Sequence, residues 1–548
     1  MKILTVLAIA FLLNFNLVAQ NNVAFEPTWE SLTQYETPEW FRDVKFGIWA
    51  HWGPQSEPGY DDWYARNMYI EKSAQYNFNT EGIKLGIEIN SQYLYHLDHY
   101  GHPSQFGFKD VINEWKAEKF DADALLSLYK DCGAKYFMAM ANHHENFDTY
   151  NSRYQPWNAV NVGPKKDIMG EWAAAARKYG LRFGASVHAS HAWTWYETSQ
   201  GFDSEGPYAG VPYDGKLSKK DGKGKWWEGL DPQDLYAQNH EPSKTHLEWS
   251  WDPKRGSSVP DKAYMEKYYK RVVQLWDDYN LDQIYFDDFV LPFYEIDPTL
   301  GLKLAAHFYN TSIQKNGSNQ AIMNTKMLNK KQQEALTYDI ERSKATGILD
   351  KPWQTDHCIG RWHYNQEYFY KHKYQPASEI IDMLVDIVSK NGNLMLNLPL
   401  RGDGTLDSDE IKIIKEVGAW LKVNGEAIYA TRPWEVYGEG AATEQNETHL
   451  GGVYGRTGKT FSAKNIRFTR SKDNTTIYAI GLRWPETGRA TIKSLSSTAS
   501  THRNIKEVSL IGYEGKVKWE IDRYGLQVNL PAEVTCSQGY ALKICVGQ

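Results

Sequence analysis

The stretch Asp282-Gln283-Ile284-Tyr285-Phe286-Asp287-Asp288 drives a short apolar run straight into two adjacent carboxylates. Strands buried on both faces read as continuous apolar runs. In parallel α/β sheets and barrels the reacting groups sit at the carboxyl ends of the strands. Other apolar runs end in the same way: in His51-Trp52, in Asn142-His143-His144-Glu145, in His188 with His191 and Trp193 just after, in Asn324 and Lys326, in Asp339 and Glu341, and in Trp353 and Asp356. A ring of such ends describes a polar pocket at one mouth of a barrel. Hydrolysis of an acetal needs one carboxylate at the anomeric carbon and one acid to protonate the leaving oxygen, and this ring holds several carboxylates. His143-His144-Glu145 with Asp287 could instead begin a metal site. His51 stands alone, however, without the paired histidines of an amidohydrolase first strand, so no metal and no cofactor are expected.

The elements needed to hold this ring are legible from Trp40 onward. Candidate strands lie at 46–52, 136–144, 182–190, 284–289, 321–326, 336–342, 352–359 and 392–400, the sixth and seventh being the least hydrophobic. Segments 121–133 and 167–180 open on Asp and stop at Gly as capped helices do. Segments 262–280 and 300–313 and a helix capped by Ser378 keep the 3.6-residue period. Eight strands with intervening helices predict an α/β fold of (β/α)8-barrel type. Two long insertions, 71–117 and 199–260, are expected as cleft walls or lids, and Trp226 and Trp227 in the second suit either sugar stacking or packing of the loop itself. After Trp434 short alternating runs separated by Gly, Asn and Asp turns predict a β-sandwich.

The chain has 548 residues, too many for one ordinary domain. A formal charge of −7 without a Lys/Arg block argues against nucleic acid as a partner. Aromatic content is 14 %, with 21 Trp and 36 Tyr, which suits a carbohydrate cleft but also a large core. Residues 1–19 carry Lys2, an apolar stretch and a small-residue end, the pattern of a secretory signal peptide, and nothing later is long and apolar enough to span a membrane. The expected organisation is a signal peptide at 1–19, a catalytic barrel at 20–434 and a β-sandwich at 435–548, exported to a periplasm or beyond the cell. Of four cysteines, Cys536 and Cys545 are close enough in sequence to bridge a terminal hairpin, whereas Cys132 and Cys358 read as buried thiols.

The run Trp40-Phe41-Arg42-Asp43-Val44-Lys45-Phe46-Gly47-Ile48-Trp49-Ala50-His51-Trp52-Gly53 resembles the opening motif of the retaining α-L-fucosidases, glycoside hydrolase family 29. Asn142-His143-His144-Glu145-Asn146-Phe147 is similar to their Lys-His-His-Asp-Gly-Phe, and Ile284-Tyr285-Phe286-Asp287 to their Ile-Trp-Phe-Asp. Val388-Ser389-Lys390-Asn391-Gly392-Asn393 and Asn424-Gly425-Glu426-Ala427-Ile428-Tyr429 complete a match that runs in order from about 40 to 435. The resemblance implies a barrel followed by a β-sandwich and a fucosylated oligo- or polysaccharide as substrate. It implies Asp287 as nucleophile, His51, His143 and His144 on fucose hydroxyls, and Trp63 lining the pocket. Lys326 stands in Asn324-Thr325-Lys326 where the family often has Asn-Asp-Arg, and with Trp353 it completes the expected substrate-binding set.

The general acid/base is expected at Glu341, with Asp339 as the alternative, because Gln354 follows Trp353 where some members carry a Trp-Glu pair and an amide cannot donate the catalytic proton. Asp62-Trp63-Tyr64 replaces the usual Glu-Trp-Tyr, and Asp288 follows the nucleophile in place of Gly. The reading is an exo-acting retaining α-L-fucosidase. Its rivals are a glycosidase for an α-L-galactoside or for sulfated fucose, the latter suggested by Lys326 and Arg342, and a secreted glycan-binding protein on an inactive barrel, suggested by Gln354.

Overall fold

The computed structural model describes residues 24–76, 84–244, 253–440, 461–532, 536 and 538–547; the expected signal peptide lies outside them. Eight parallel strands form the central sheet: β1 (Phe46–Ala50), β2 (Tyr136–Asn142), β3 (Arg182–Val187), β4 (Gln283–Phe289), β5 (Ile322–Lys326), β6 (Thr337–Tyr338), β7 (Trp353–Cys358) and β8 (Gly392–Asn397). They neighbour one another in the order β6-β5-β4-β3-β2-β1-β8-β7. The remaining seam, between β6 and β7, is held by a single parallel bridge between Asp339 and Gln354, with Ile340 N–H donating to the Gln354 carbonyl and Arg342 N–H to that of Asp356, each at 2.9 Å. The result is a nearly closed eight-stranded barrel.

All eight expected strands are present; several end up to three residues early, and the sixth is cut to Thr337–Tyr338. Beyond Tyr338 the pairing with β7 continues only through that bridge and those two hydrogen bonds, and Arg342 takes a left-handed φ of 46°. No α-helix separates β5 from β6 or β6 from β7, so this quadrant is the thinnest part of the wall. Elsewhere the helices are α1 (Ala122–Asp131), α2 (Ile168–Lys178), α3 (Lys262–Tyr279), α4 (Pro298–Asn316), α5 (Ala377–Ser389) and α6 (Ser408–Asn424). The Asp121, Asp167 and Asp261 side chains accept the N–H groups of Ala124, Gly170 and Tyr264 at the starts of α1, α2 and α3. The fifth helix departs from expectation, because Pro376 occupies its N-cap and Ser378 lies inside its first turn.

Alternation along the strands sorts the barrel into two layers. Ile48, Phe137, Ile284 and Phe286 face outward into the shell of helices. Trp49, Tyr136, Met138, Tyr285 and Met395 form a separate cluster inside. Tyr136 lies so close to β1 that a Cβ on Gly47 would meet its ring at 2.4 Å, which is why that position has no side chain. Below the mouth the interior turns polar: the Gln354 amide donates to Asp339 Oδ2 at 2.8 Å and accepts from Tyr136 Oη at 3.1 Å and Gln283 Nε2 at 2.9 Å.

The two insertions are stitched together over the barrel. Lys109 Nζ bonds Asp110 at 2.6 Å and Asp214 at 2.8 Å, while Tyr69 and Tyr236 donate to Asp214 at 2.6 and 2.7 Å. Trp227 is buried within this network, so loop packing accounts for it, whereas Trp226 donates its indole N–H to Asp110 and stays 44 % exposed. Beyond Arg432 the chain forms a five-stranded and a three-stranded antiparallel sheet around a core that includes Phe468, Ile477, Leu526 and Leu542. No helix among the described residues is long and apolar enough to cross a membrane.

Cys536 and Cys545 are unbridged, contrary to expectation, whereas Cys132 and Cys358 are buried free thiols as expected. Cys536 precedes the last strand (Tyr540–Val546) and Cys545 lies near its far end. At about 3.3 Å per residue that extension exceeds the roughly 7 Å Cα separation a disulfide spans.

The C-terminal unit grips the barrel through α5. Buried Asp386 accepts Arg467 Nε at 2.6 Å and Lys390 Nζ at 2.7 Å, and Arg483 forks onto Asp382 at 2.9 and 2.8 Å. Removing one partner from a buried pair leaves the other charge uncompensated. Asp386→Ala is therefore expected to lower the unfolding free energy in urea by about 3–5 kcal/mol. A loss below about 1 kcal/mol, the scale of an exposed pair, would contradict this view of the junction.

Candidate active site

The strand ends deliver the polar side chains of the mouth. In β4 the apolar run places Tyr285 inside the barrel, so Asp287, two residues on, points the same way. Asp288 turns into the wall, where Ser190 Oγ bonds it at 2.8 Å and His191 Nε2 lies 3.2 Å away. That separates the two neighbouring acids. Lys326 at the end of β5 reaches Asp287 Oδ1 and Glu341 Oε2, both at 2.5 Å. Two oxygens each 2.5 Å from one nitrogen can be no more than twice that apart, so they lie within 5 Å of each other.

The two carboxyls sit in different fields. Burial by itself would raise Asp287, but the Lys326 ammonium and the His144 hydrogen bond overcome it and hold the group well below the usual carboxylate range. Burial raises Glu341, helped by the charges of Asp356 and Asp287 and opposed by Lys326. Lys326 is driven well above its ordinary value because the surrounding carboxylates outweigh its burial. A carboxylate kept ionised beside a carboxyl biased toward protonation is the division of roles that acid-assisted substitution requires. Exposure agrees with it: the Asp287 side chain is 14 % exposed and that of Glu341 40 %, so the acid stands nearer the exit for a leaving group. Asp339 is buried beneath them, bonded to Gln354, and burial with the neighbouring Asp356 drives its carboxyl far upward. It does not reach the mouth.

Opposite the carboxylates five buried imidazoles form a continuous wall. The His51 ring centroid lies 4.5 Å from that of His363, 4.9 Å from His143 and 5.3 Å from His188, and the His143 and His144 centroids are 4.2 Å apart. His144 Nδ1 donates to the His188 carbonyl at 2.9 Å and its Nε2 is 3.5 Å from Asp287 Oδ2. Burial and the neighbouring imidazoles hold His51 and His143 well below the ordinary histidine value, and burial takes His188 down to about 3. Trp63, in a left-handed conformation with φ 58°, closes one side, its ring 6.4 Å from His144.

The expected residues Asp287, Glu341, Lys326, His51, His143, His144 and Trp63 are thus brought together. Trp353 is not. Gln354 and Asp356 of β7 point inward, so Trp353 must point outward, where it is buried and donates its indole N–H to the Lys390 carbonyl at 2.9 Å. Its place at the mouth is taken by Trp362, 5.6 Å from His51 and under the Arg342 guanidinium. Trp362 and His363 follow β7 in a loop without periodicity, and only the adjacency of Trp, His and a flanking Arg could have marked them.

His51, His143 and His363 can each offer a ligand atom within 4.8 Å of the others, the one such cluster among the described residues. The Gln55 amide weighs against a cation there. Its Oε1 accepts the Ala65 N–H at 3.3 Å, and its Nε2 donates to His143 Nδ1 at 2.6 Å and to Glu145 at 2.8 Å. His143 therefore carries its ring proton on Nε2 and has its one lone pair, on Nδ1, engaged by Gln55, so neither nitrogen offers a free lone pair to a metal. The donor set suits hydroxyl groups.

A profile of the family described as alpha-L-fucosidase matches residues 12–426, and that of the alpha-L-fucosidase C-terminal domain matches residues 459–545. The chain is 26 % identical to the plasma alpha-L-fucosidase of Homo sapiens, covering 96 % of this chain and 93 % of that one. It is 25 % identical to the tissue alpha-L-fucosidase of Mus musculus, over 92 % and 90 %. Its fold is similar to a crystal structure of Thermotoga maritima alpha-fucosidase in complex with a mechanism-based inhibitor, with a TM-score of 0.66, 22 % identity and coverage of 95 % and 100 %.

The bridging ammonium makes its own prediction. Lys326→Met removes a positive charge from beside both carboxyls, so each becomes easier to protonate. Both limbs of the pH profile of kcat/KM on a substrate are then expected to move to higher pH, the acid limb through Asp287 and the alkaline limb through Glu341. An alkaline limb that stays in place would show that Lys326 does not set the charge state of Glu341.

Proposed function

We propose that this chain, which belongs to the alpha-L-fucosidase family, removes terminal α-L-fucosyl residues from glycans with net retention of configuration. The observation that carries the reading is the pair of carboxylates on one ammonium. Retaining glycosidases hold their two carboxyl groups about 5–5.5 Å apart, whereas inverting ones leave room for a water between them. Oxygens of Asp287 and Glu341 within 5 Å of each other support the retaining arrangement.

In the first step an Asp287 oxygen bonds to the anomeric carbon as the glycosidic bond breaks, and Glu341 gives its proton to the departing oxygen. The second step runs in reverse with water, whose proton returns to Glu341 as its oxygen displaces Asp287 and frees fucose. Lys326 stabilises the Asp287 carboxylate before attack and after release, and it can still donate to the carbonyl oxygen of a protonated Glu341. Its charge is engaged by two carboxylates, which leaves it poorly placed to recognise a sulfate. The imidazole wall is the surface for the sugar's hydroxyls, with Trp63 and Trp362 offering aromatic faces. Lys2, the apolar stretch and the small-residue end of residues 1–19 support export of the mature enzyme.

The test is hydrolysis of a nitrophenyl α-L-fucoside with the product anomer followed by NMR. Wild type is expected to release α-L-fucose first. Asp287→Ala is expected to lose about 10³-fold or more in kcat, as removal of a nucleophile does, and azide should restore turnover in both Asp287→Ala and Glu341→Ala. Initial release of the β-anomer, or full activity of Asp287→Ala, would overturn the reading.

A further inference from the structure

The loop carrying Trp63 and the loop carrying Trp362 are zipped together at the mouth. Tyr60 and Asn365 form an antiparallel bridge, Gln366 N–H donates to the Gly59 carbonyl at 3.0 Å, and Arg361 Nε bonds Asp61 Oδ1 at 2.5 Å. At the centre of this clamp, Asp62 Oδ1 lies 2.7 Å from His363 Nδ1. The His363 side chain is fully buried, and its Nε2 has no hydrogen-bond partner among the described residues. Its ring centroid is 4.5 Å from that of His51 and 4.9 Å from that of His143. A buried polar atom without a partner is costly, and here it sits on the wall facing the reacting carboxylates.

We propose that His363 is a further substrate-binding residue, whose Nε2 takes one hydroxyl of the fucosyl ring, with Asp62 as the positioning residue that sets its polarity. This rests on the fucosidase reading and adds to it the means by which the pocket reads one hydroxyl. In the neutral imidazole the ring proton lies on Nδ1, where the Asp62 carboxylate accepts it, and Nε2 is left as a lone pair. His143 has the opposite arrangement, because the Gln55 N–H group occupies its Nδ1. The wall therefore presents a donor on His143 beside an acceptor on His363. A hydroxyl both donates and accepts, so it satisfies the two together, whereas a hydrogen at that position leaves both unpaired. Sites built in this way reject the analogue lacking the hydroxyl more strongly than apolar pockets reject a misfit.

The clamp explains why an imidazole can serve so exactly placed a role on a loop. Trp63 holds a left-handed backbone immediately after Asp62, a conformation that non-glycine residues keep only where the surroundings enforce it. The His363–Asp62 bond and the bridge between the loops hold that turn, together with Gln92 Nε2, which donates to the Tyr60 and Asp62 carbonyls at 2.9 Å. The same contact therefore positions both an aromatic face and a hydroxyl acceptor.

The experiment is a cycle between residue and hydroxyl. Values of kcat/KM for wild type, His363→Ala and Asp62→Asn are measured on a nitrophenyl α-L-fucoside and on its 2-, 3- and 4-deoxy counterparts. His363→Ala is expected to lose about ten- to a hundredfold on the parent, the effect of leaving a buried hydrogen-bonding group unpaired. It should lose as much on two of the deoxy substrates and no more than about twofold on the third, whose missing hydroxyl is the one His363 holds. Asp62→Asn, which keeps the side-chain volume, should show the same selective pattern and serves if His363→Ala does not fold. Equal losses on all four substrates, or no loss on the parent, would overturn the proposal. Wild-type turnover of the parent fucoside reports separately on the fucosidase reading.

Discussion

The mouth of this barrel is organised around one ammonium group. Lys326 Nζ lies 2.5 Å from an oxygen of Asp287 and 2.5 Å from an oxygen of Glu341, and neither carboxyl would occupy its position with its present charge without it. Two carboxylates this close repel each other in a site sheltered from water, and a lysine buried alone would shed its proton. Together the three groups compensate one another, and the asymmetry of their surroundings does the rest. Asp287 also faces His144 and His188, while Glu341 has Asp356 behind it and solvent in front. One fixed charge thereby sets the spacing of the pair, and the unequal neighbours set the difference in their proton affinities. A guanidinium in the same place would fork across a single carboxylate. A compact point charge on a flexible stem can sit between two.

The thin quadrant of the barrel follows from the same need. A full sixth strand would continue the ladder past Tyr338 and point Glu341 along the wall. Instead β6 stops after two residues, and Gln354 holds the seam by bonding Asp339, Gln283 and Tyr136 inside the barrel. Residues 339–342 stay tied to β7 only through the Asp339–Gln354 bridge and the Ile340 and Arg342 N–H groups, and they carry Glu341 to Lys326. Gln354 is thus a structural amide in the barrel floor. Its lack of a catalytic proton says nothing against activity, because the proposed acid, Glu341, comes from the segment that it anchors.

Much of this was legible in the sequence where the signal is periodic or local. Continuous apolar runs marked the strands because each is buried on both faces, and the polar residue closing each run marked the pocket. Alternation alone separates Asp287 from Asp288 once Tyr285 is known to point inward, and it also shows why Trp353 cannot line the mouth when Gln354 and Asp356 face the interior. The misses have a different origin. Trp362 and His363 lie in an aperiodic loop, and their positions depend on a clamp to residues some three hundred positions earlier. The sixth strand reads as seven residues because hydrophobicity does not register where regular pairing gives way to a few isolated bonds. Cys536 and Cys545 are neighbours in sequence, but an extended strand carries them apart. Asp62, which stands where the family resemblance expects Glu, becomes intelligible only with His363 in view.

The central claim is that Asp287, held ionised by Lys326, is the atom donor to the sugar's anomeric carbon. The most direct measurement is trapping with a 2-deoxy-2-fluoro-α-L-fucosyl fluoride followed by peptide mass spectrometry of the inactivated chain. The account predicts one fluorofucosyl adduct per chain, located on the peptide that contains Ile284-Tyr285-Phe286-Asp287-Asp288 and fragmenting at Asp287. An adduct at Asp288 or Glu341, or inactivation without any adduct, would contradict it.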